Sequence, residues 1–223
     1  MKLLTFLLTG PLQSWGDNAR WDHRSTASMP TKSAIIGMLG CCFGYRRGDI
    51  RLQKLSERVR IAVRADRRGR PIWDFQTVQN PGGKILNSMG KPRGETIITP
   101  KQYLQEAAFQ VFISGEDAVL KQCENAMRHP RWPICLGRRS CVPAIPVMPS
   151  IVEYSSLDEA AETYFDPRLK SKDRTAFMEC QLEAASEDQN GRLITRMDEV
   201  VRADLNQYRE RDIRVRMIKR SDG

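Results

Sequence analysis

The sequence predicts an α+β protein. Its first two thirds run strand, helix, strand, strand, helix, strand, with a long hairpin inserted between the two middle strands. Three observations predict it. Segments with apolar residues at every second position, the period of a half-buried strand, alternate with segments of helical apolar spacing. A stretch rich in Gly, Pro and Asn over residues 79–94 separates two β-like runs. Pro143, Pro146 and Pro149 then punctuate the chain ahead of short strands and polar loops.

Residues 2–9 are an apolar run closed by Gly10-Pro11. They read as a buried strand and not as a signal peptide, because Pro11, Gln13 and Trp15 stand where small cleavage-site residues would be. A polar loop over 13–30 carries Trp15, Trp21 and His23. Thr31 is the expected N-cap of a helix over 34–43, where Ile35, Met38, Leu39 and Cys42 recur at helical spacing. Gly37 and Gly40 cost that helix stability, which predicts close packing on a neighbour. Asp49 caps a short helix through Leu52 and Leu55. Val59, Ile61, Val63 and Ala65 then alternate with Arg58, Arg60 and Arg64, a strand with one apolar and one basic face.

Residues 73–77 and 96–99 have β-like composition and flank the glycine-rich stretch, so a thumb-like hairpin spans about 72–101. Ala107, Phe109, Val111 and Ile113 mark another strand. Residues 116–128 are the best-marked helix. Glu116 and Asp117 lie in its first turn, Leu120, Cys123 and Met127 on one face, and Arg128 and His129 before Pro130 at its end. The expected division is a domain over 1–142 and a small, mostly β region over 143–223, with strands at 151–154 and 213–218. Without the hairpin the order is βαββαβ, the ferredoxin-like or RRM-type topology. Such sheets often bind single-stranded RNA, but topology alone does not assign a function.

Forty per cent hydrophobic residues in 223 suffice for a core and argue against a disordered chain. No uncharged apolar stretch approaches the ~18 residues of a membrane span, and a cytoplasmic location is expected. The six cysteines form no Cys-x-x-Cys and read as buried thiols, so neither disulfides, a metal nor a cofactor is expected. The net charge of +9 is unevenly placed: residues 20–70 hold 13 basic against four acidic residues, whereas 153–199 are net acidic. Arginine dominates the basic segment, and its planar fork suits phosphates and base edges. That points to a polyanion, although a solvated charged face accounts for composition equally well.

Gly10-Pro11-Leu12-Gln13-Ser14-Trp15-Gly16, Arg24-Ser25-Thr26, Pro30-Thr31-Lys32-Ser33 and Gly37-Met38-Leu39-Gly40 together resemble the CasD family. These are the Cas-five-type subunits of Cascade, the type I-E CRISPR surveillance complex. Leu136-Gly137-Arg138-Arg139-Ser140-Cys141-Val142-Pro143 is similar to a second signature of that family. The resemblance implies a non-catalytic subunit that holds the 5′ handle of the CRISPR RNA, caps the CasC backbone filament and docks the large CasA subunit. It meets target DNA only through the complex, where the guide reads most of the sequence.

For such a role Gln13, Arg20, His23, Arg24, Arg46, Arg47, Arg138 and Arg139 are the candidate handle contacts. Thr31, Lys32 and Ser33 open a helix whose N-terminus suits a phosphate, or is an ordinary capped end. Trp15 and Trp21 fit base stacking or a core position equally. Lys84, Lys91, Arg93 and Lys101 are the thumb candidates for backbone contacts. The rival reading is a metal-independent endoribonuclease, as in type I-C relatives, which cut with Tyr, Lys and an adjacent His. No Lys-His dipeptide occurs here, His23 follows Asp22, and His129 suits a helix end; Tyr45 alone is weak support.

Overall fold

The computed structural model describes residues 1–16, 24–80, 82–87, 89–94, 96–183 and 191–219, Arg93 by its backbone only. In chain order the elements are β1 (Lys2–Thr9), β2 (Leu12–Gln13), α1 (Lys32–Phe43), α2 (Ile50–Arg58), β3 (Val59–Arg67), β4 (Arg70–Gln79), β5 (Ile85–Leu86) and β6 (Pro92–Gly94). They continue with β7 (Thr96–Gln105), β8 (Ala108–Gly115), α3 (Asp117–Arg128), β9 (Ser150–Glu153), α4 (Leu157–Thr163), β10 (Phe177–Glu183), β11 (Arg192–Arg202) and β12 (Gln207–Lys219).

One antiparallel sheet runs β11-β12-β10-β3-β8-β1-β9. Its β1, β3, β8 and β9, with α1 and α3, follow one another as strand, helix, strand, strand, helix, strand, and lie side by side as β9-β1-β8-β3. The expected boundary at 142/143 does not divide this sheet. β9 lies beyond it and pairs with β1, and β10 extends the sheet by pairing with β3.

Helices α1, α2 and α3 cover one face through Leu4, Phe6, Ile35, Leu39, Ile61, Val63, Val111 and Leu120. On the other face Leu3, Ala62 and Phe112 meet Leu157, Ala160 and Ala161 of α4. Covering both faces corrects the expectation of a basic outer face on β3. Arg58 and Arg60 are exposed, but Arg64 is fully buried. Its Nε and Nη2 reach Asp66 at 2.6 and 3.2 Å, and Nη1 donates to the Ala161 carbonyl at 2.6 Å. Its guanidinium lies 4.4 Å from the Phe165 ring centre, and Arg174 Nε adds a 3.3 Å bond to Asp66.

α1 begins where expected: Thr31 Oγ1 accepts the Ala34 N–H at 3.3 Å. Gly44, left-handed at φ 76°, ends it. A Cβ on Gly40 would meet Leu52 Cδ2 at 2.4 Å, so α1 does press on α2 there. Gly37 does not follow that expectation; it faces open space. The thumb exceeds its expected 72–101 span: β4 and β7 pair from Arg70–Gln105 to Gln79–Thr96, with β5 and β6 near the tip. Burial pushes the thiols of Cys42 and Cys180 up to about 12 and that of Cys123 to about 11, keeping them protonated. Among the described residues no helix is long and apolar enough to cross a membrane.

Candidate nucleic-acid interface

Two separate sequence blocks meet to build the site. The Ser14 N–H donates to the Leu136 carbonyl at 3.1 Å, and Trp15 bridges to Ala27. The loop from Leu136 closes on itself, with Leu136 N–H to Cys141 O at 2.7 Å and Cys141 N–H to Arg138 O at 2.9 Å. Arg138 is the clasp. It donates to the carbonyls of Gln102 and Arg24 at 2.9 Å each, and its guanidinium stacks 4.6 Å from the Tyr103 ring centre. Gly137 allows this approach: it sits at φ 90°, and a Cβ there would lie 1.7 Å from Ser14 O. Gly137→Ala is therefore expected to destabilise the protein by about 2–3 kcal/mol or more, read as a lowered denaturation midpoint, because both backbone segments must move.

Between these blocks and α1 lies an open cleft of about 1250 Å³. Ser33, Ala34, Gly37, Met38 and Cys41, one face of α1, form its floor. The small side chains of Ser33, Ala34 and Cys41, and the space over Gly37, allow a ligand close to the helix. Around it stand Arg24, Arg46, Arg47, Arg138 and Arg139, and no Asp or Glu is among the described residues that line it. Arg46, Arg47 and Arg139 are exposed and have no ion pair among the described residues. Five guanidinium groups within one concavity repel one another, and an anion bound there relieves that repulsion. Seven of the sequence-predicted contacts thus come together, these five arginines with Thr31 and Ser33. Cys41 also lines the cleft, but burial first, and then Cys135 beside it, push its thiol up despite Arg139 nearby.

Other candidates are placed elsewhere. Lys32 is corrected: it is buried, and Nζ bonds Glu183 at 3.0 and 3.2 Å and Glu199 at 3.3 Å. Its backbone N–H donates to Asp198 Oδ2 at 2.8 Å, and Arg211 Nε holds Asp198 at 2.6 Å. A carboxylate from β11 therefore already occupies the helix N-terminus, where the sequence suggested a phosphate. Gln13 is also corrected: fully buried, its amide donates to Ala107 O at 2.8 Å and Leu8 O at 3.3 Å, tying β1 to the start of β8. Of the two readings open for Trp15, the core position holds. It is buried, edge-on to Phe109 with centroids 6.5 Å apart. Thr31 is a cap whose Oγ1 lies 3.2 Å from Ser33 Oγ, and both residues line the cleft.

Burial alone would raise the Glu199 carboxyl, but Arg209 and Lys32 outweigh it and hold it below its ordinary 4.5. Just below pH 4.5 the folded protein then binds fewer protons than the unfolded chain. The stabilisation from Glu199 is complete above that pH and is lost as pH falls through the lower folded value. Between pH 5.5 and 3.5, the urea midpoint of Glu199→Gln is expected to fall less than that of the unaltered protein.

On the thumb, Lys84 and Lys91 are exposed. Lys101 stands at the base of the thumb's stalk, half-buried, bonded to Gln76 Oε1 and bridged by its backbone to Arg24 at the cleft. Arg20, Trp21 and His23 lie outside the described residues, as does the side chain of Arg93. His129 is exposed at the end of α3 and does not line the cleft. Tyr45 stacks on Phe43 with centroids 5.0 Å apart and lies under Arg51 at 3.9 Å. The sequence reading missed Trp132 and Tyr208, which line the cleft. Trp132 carried a signal: a tryptophan between Pro130 and Pro133, outside any apolar period. Tyr208, in a run of charged residues, carried none.

The chain matches the family described as CRISPR-associated protein (Cas_Cas5) over residues 3–219. It is 35% identical over 173 residues to the CRISPR system Cascade subunit CasD of Escherichia coli (strain K12), an alignment spanning 72% of this chain and 76% of that protein. A chain solved in a CRISPR RNA-guided surveillance complex is 27% identical and superposes with a TM-score of 0.76, over 97% of this chain and 90% of its own. A crystal structure of a Cas protein gives a TM-score of 0.70 at 30% identity, over 97% of this chain and 95% of its own. The chain belongs to the CRISPR-associated protein (Cas_Cas5) family.

Proposed function

We propose that this chain is the non-catalytic CRISPR-RNA-binding subunit of a type I-E Cascade, and that the arginine cleft holds the 5′ handle. The observation that carries the reading is the cleft itself: five arginines, no lining carboxylate among the described residues, and room for several nucleotides. The strand order β9-β1-β8-β3 supports a ferredoxin-like body beneath it. Arg24 and the stalk base at Lys101 adjoin, so an RNA leaving the cleft meets the thumb directly. There Lys84, Lys91 and Arg93 hold the backbone without reading bases. A CasC-type backbone subunit and a CasA-type large subunit complete the surroundings, and target DNA is reached through them.

The test is incubation of the purified chain, alone and with its CasC-type neighbour, with end-labelled repeat RNA in a chelator. A retarded band without product is expected, weakening steeply as salt rises. Discrete cleavage products would replace this reading with the endoribonuclease. No retention of repeat RNA even beside the neighbour would overturn it.

A further inference from the structure

We propose that Trp132 and Tyr208 are the base-stacking residues of the cleft, so that it accepts single-stranded RNA with splayed bases and disfavours the same sequence as duplex. The inference rests on the cleft being an RNA site and goes on to say what it recognises there. Arginine forks account for phosphates, but bases leaving a helical stack need apolar faces to lie on. Trp15, which the sequence offered for that purpose, is buried. Trp132 and Tyr208 are the two aromatic residues among the described residues that line the cleft, 40% and 43% exposed. A tryptophan is ordinarily much more buried than Trp132 is.

Each is presented on a fixed backbone. The Arg131 N–H donates to Cys42 O at 2.9 Å, and the Cys41 thiol donates to the carbonyls of Trp132 and Pro133 at 3.6 and 3.5 Å. Pro133 fixes the following φ. The backbone that carries the indole therefore needs little ordering when a base arrives, which favours binding. Tyr208 opens β12 opposite Val200 of β11. That hairpin is fastened to the start of α1 by Asp198 and Glu199, next to Val200, through Lys32. The hairpin thus ties itself to α1 with carboxylates and delivers an uncharged ring to a cationic cleft. Stacking faces next to guanidinium groups form the usual single-strand platform.

The experiment compares Trp132→Ala, Tyr208→Ala and the two phenylalanine variants, by fluorescence anisotropy, on handle-bearing single-stranded RNA and on its duplex. Each alanine variant is expected to lose about tenfold on the single strand. Phenylalanine should restore most of it, and the preference over duplex should shrink. The slope of log affinity against log salt should stay that of the unaltered protein, since no phosphate contact is removed. A second readout does not depend on alanine being tolerated: single-stranded RNA should quench a component of indole fluorescence that is absent in Trp132→Phe. Equal quenching in Trp132→Phe, or alanine variants that bind like the unaltered protein, would overturn the stacking assignment. If Arg46→Ala with Arg47→Ala and Arg139→Ala still weakens binding in that case, the charge-based reading of the cleft stands and only the stacking falls. If that triple variant also binds normally, the cleft is not the RNA site.

Discussion

Asp66→Ala is expected to destabilise the protein by about 3–5 kcal/mol, the range found when one partner of a buried ion pair is removed. In a chain of this length that lowers the melting temperature by on the order of 10 °C. The reason lies in what remains. Arg64, fully buried, keeps one bond to Ala161 O and a stacking contact with Phe165, but its fork has lost its carboxylate. Arg174, largely buried, loses the same partner. Two desolvated cations then face each other on the sheet surface covered by α4. Arg64→Met combined with Asp66→Leu is expected to lose less than Asp66→Ala alone, because it also removes one of the two buried guanidinium groups that share that carboxylate. Thermal melts of the three proteins check both statements; an Asp66→Ala midpoint within 2 °C of the unaltered protein, taken as roughly the effect of 1 kcal/mol or less, would show that the network contributes little to stability.

The second large effect concerns RNA. Arg46→Ala, Arg47→Ala and Arg139→Ala combined should melt almost like the unaltered protein, since these side chains are exposed and have no ion pair among the described residues. Affinity for handle-bearing RNA should nevertheless fall on the order of a hundredfold near physiological salt. Each lost phosphate contact on a single strand lowers the salt slope by about 0.7, so the triple variant should be shallower by about 2. Arg138 is left out deliberately. Both ends of its fork are spent on Gln102 and Arg24, and changing it would confuse a loss of the loop with a loss of contact.

The contrast between those two sets of arginines shows how far sequence reading reached. α1, β8 and α3 were legible because each carries its apolar residues at a single period, β1 as an apolar run, the thumb from its glycine- and proline-rich stretch, and several ends because Thr31, Asp49 and Pro130 mark them. Five cleft arginines were legible as a group from residue type and family-like blocks, although nothing local separates a clasp such as Arg138 from an open contact such as Arg139. The failures share one cause. Lys32 and Arg64 look like surface residues in a sequence, but each is buried against carboxylates, Lys32 against Glu183 and Glu199 far along the chain and Arg64 against Asp66 on its own strand. Such pairs hide the alternation of β10 to β12, so the C-terminal strands looked like a separate region when they extend the main sheet. Gln13 failed likewise: its amide satisfies two carbonyls inside the protein.

Photo-cross-linking with a reactive uridine placed within the 5′ handle, followed by peptide mapping, tests most directly where this chain holds its RNA. Adducts should concentrate on the peptides carrying Arg46-Arg47 and Trp132 to Arg139, with the RNA recovered at full length. Adducts confined to the thumb or to the β11–β12 hairpin away from Tyr208, or an RNA recovered in two pieces, would contradict the account.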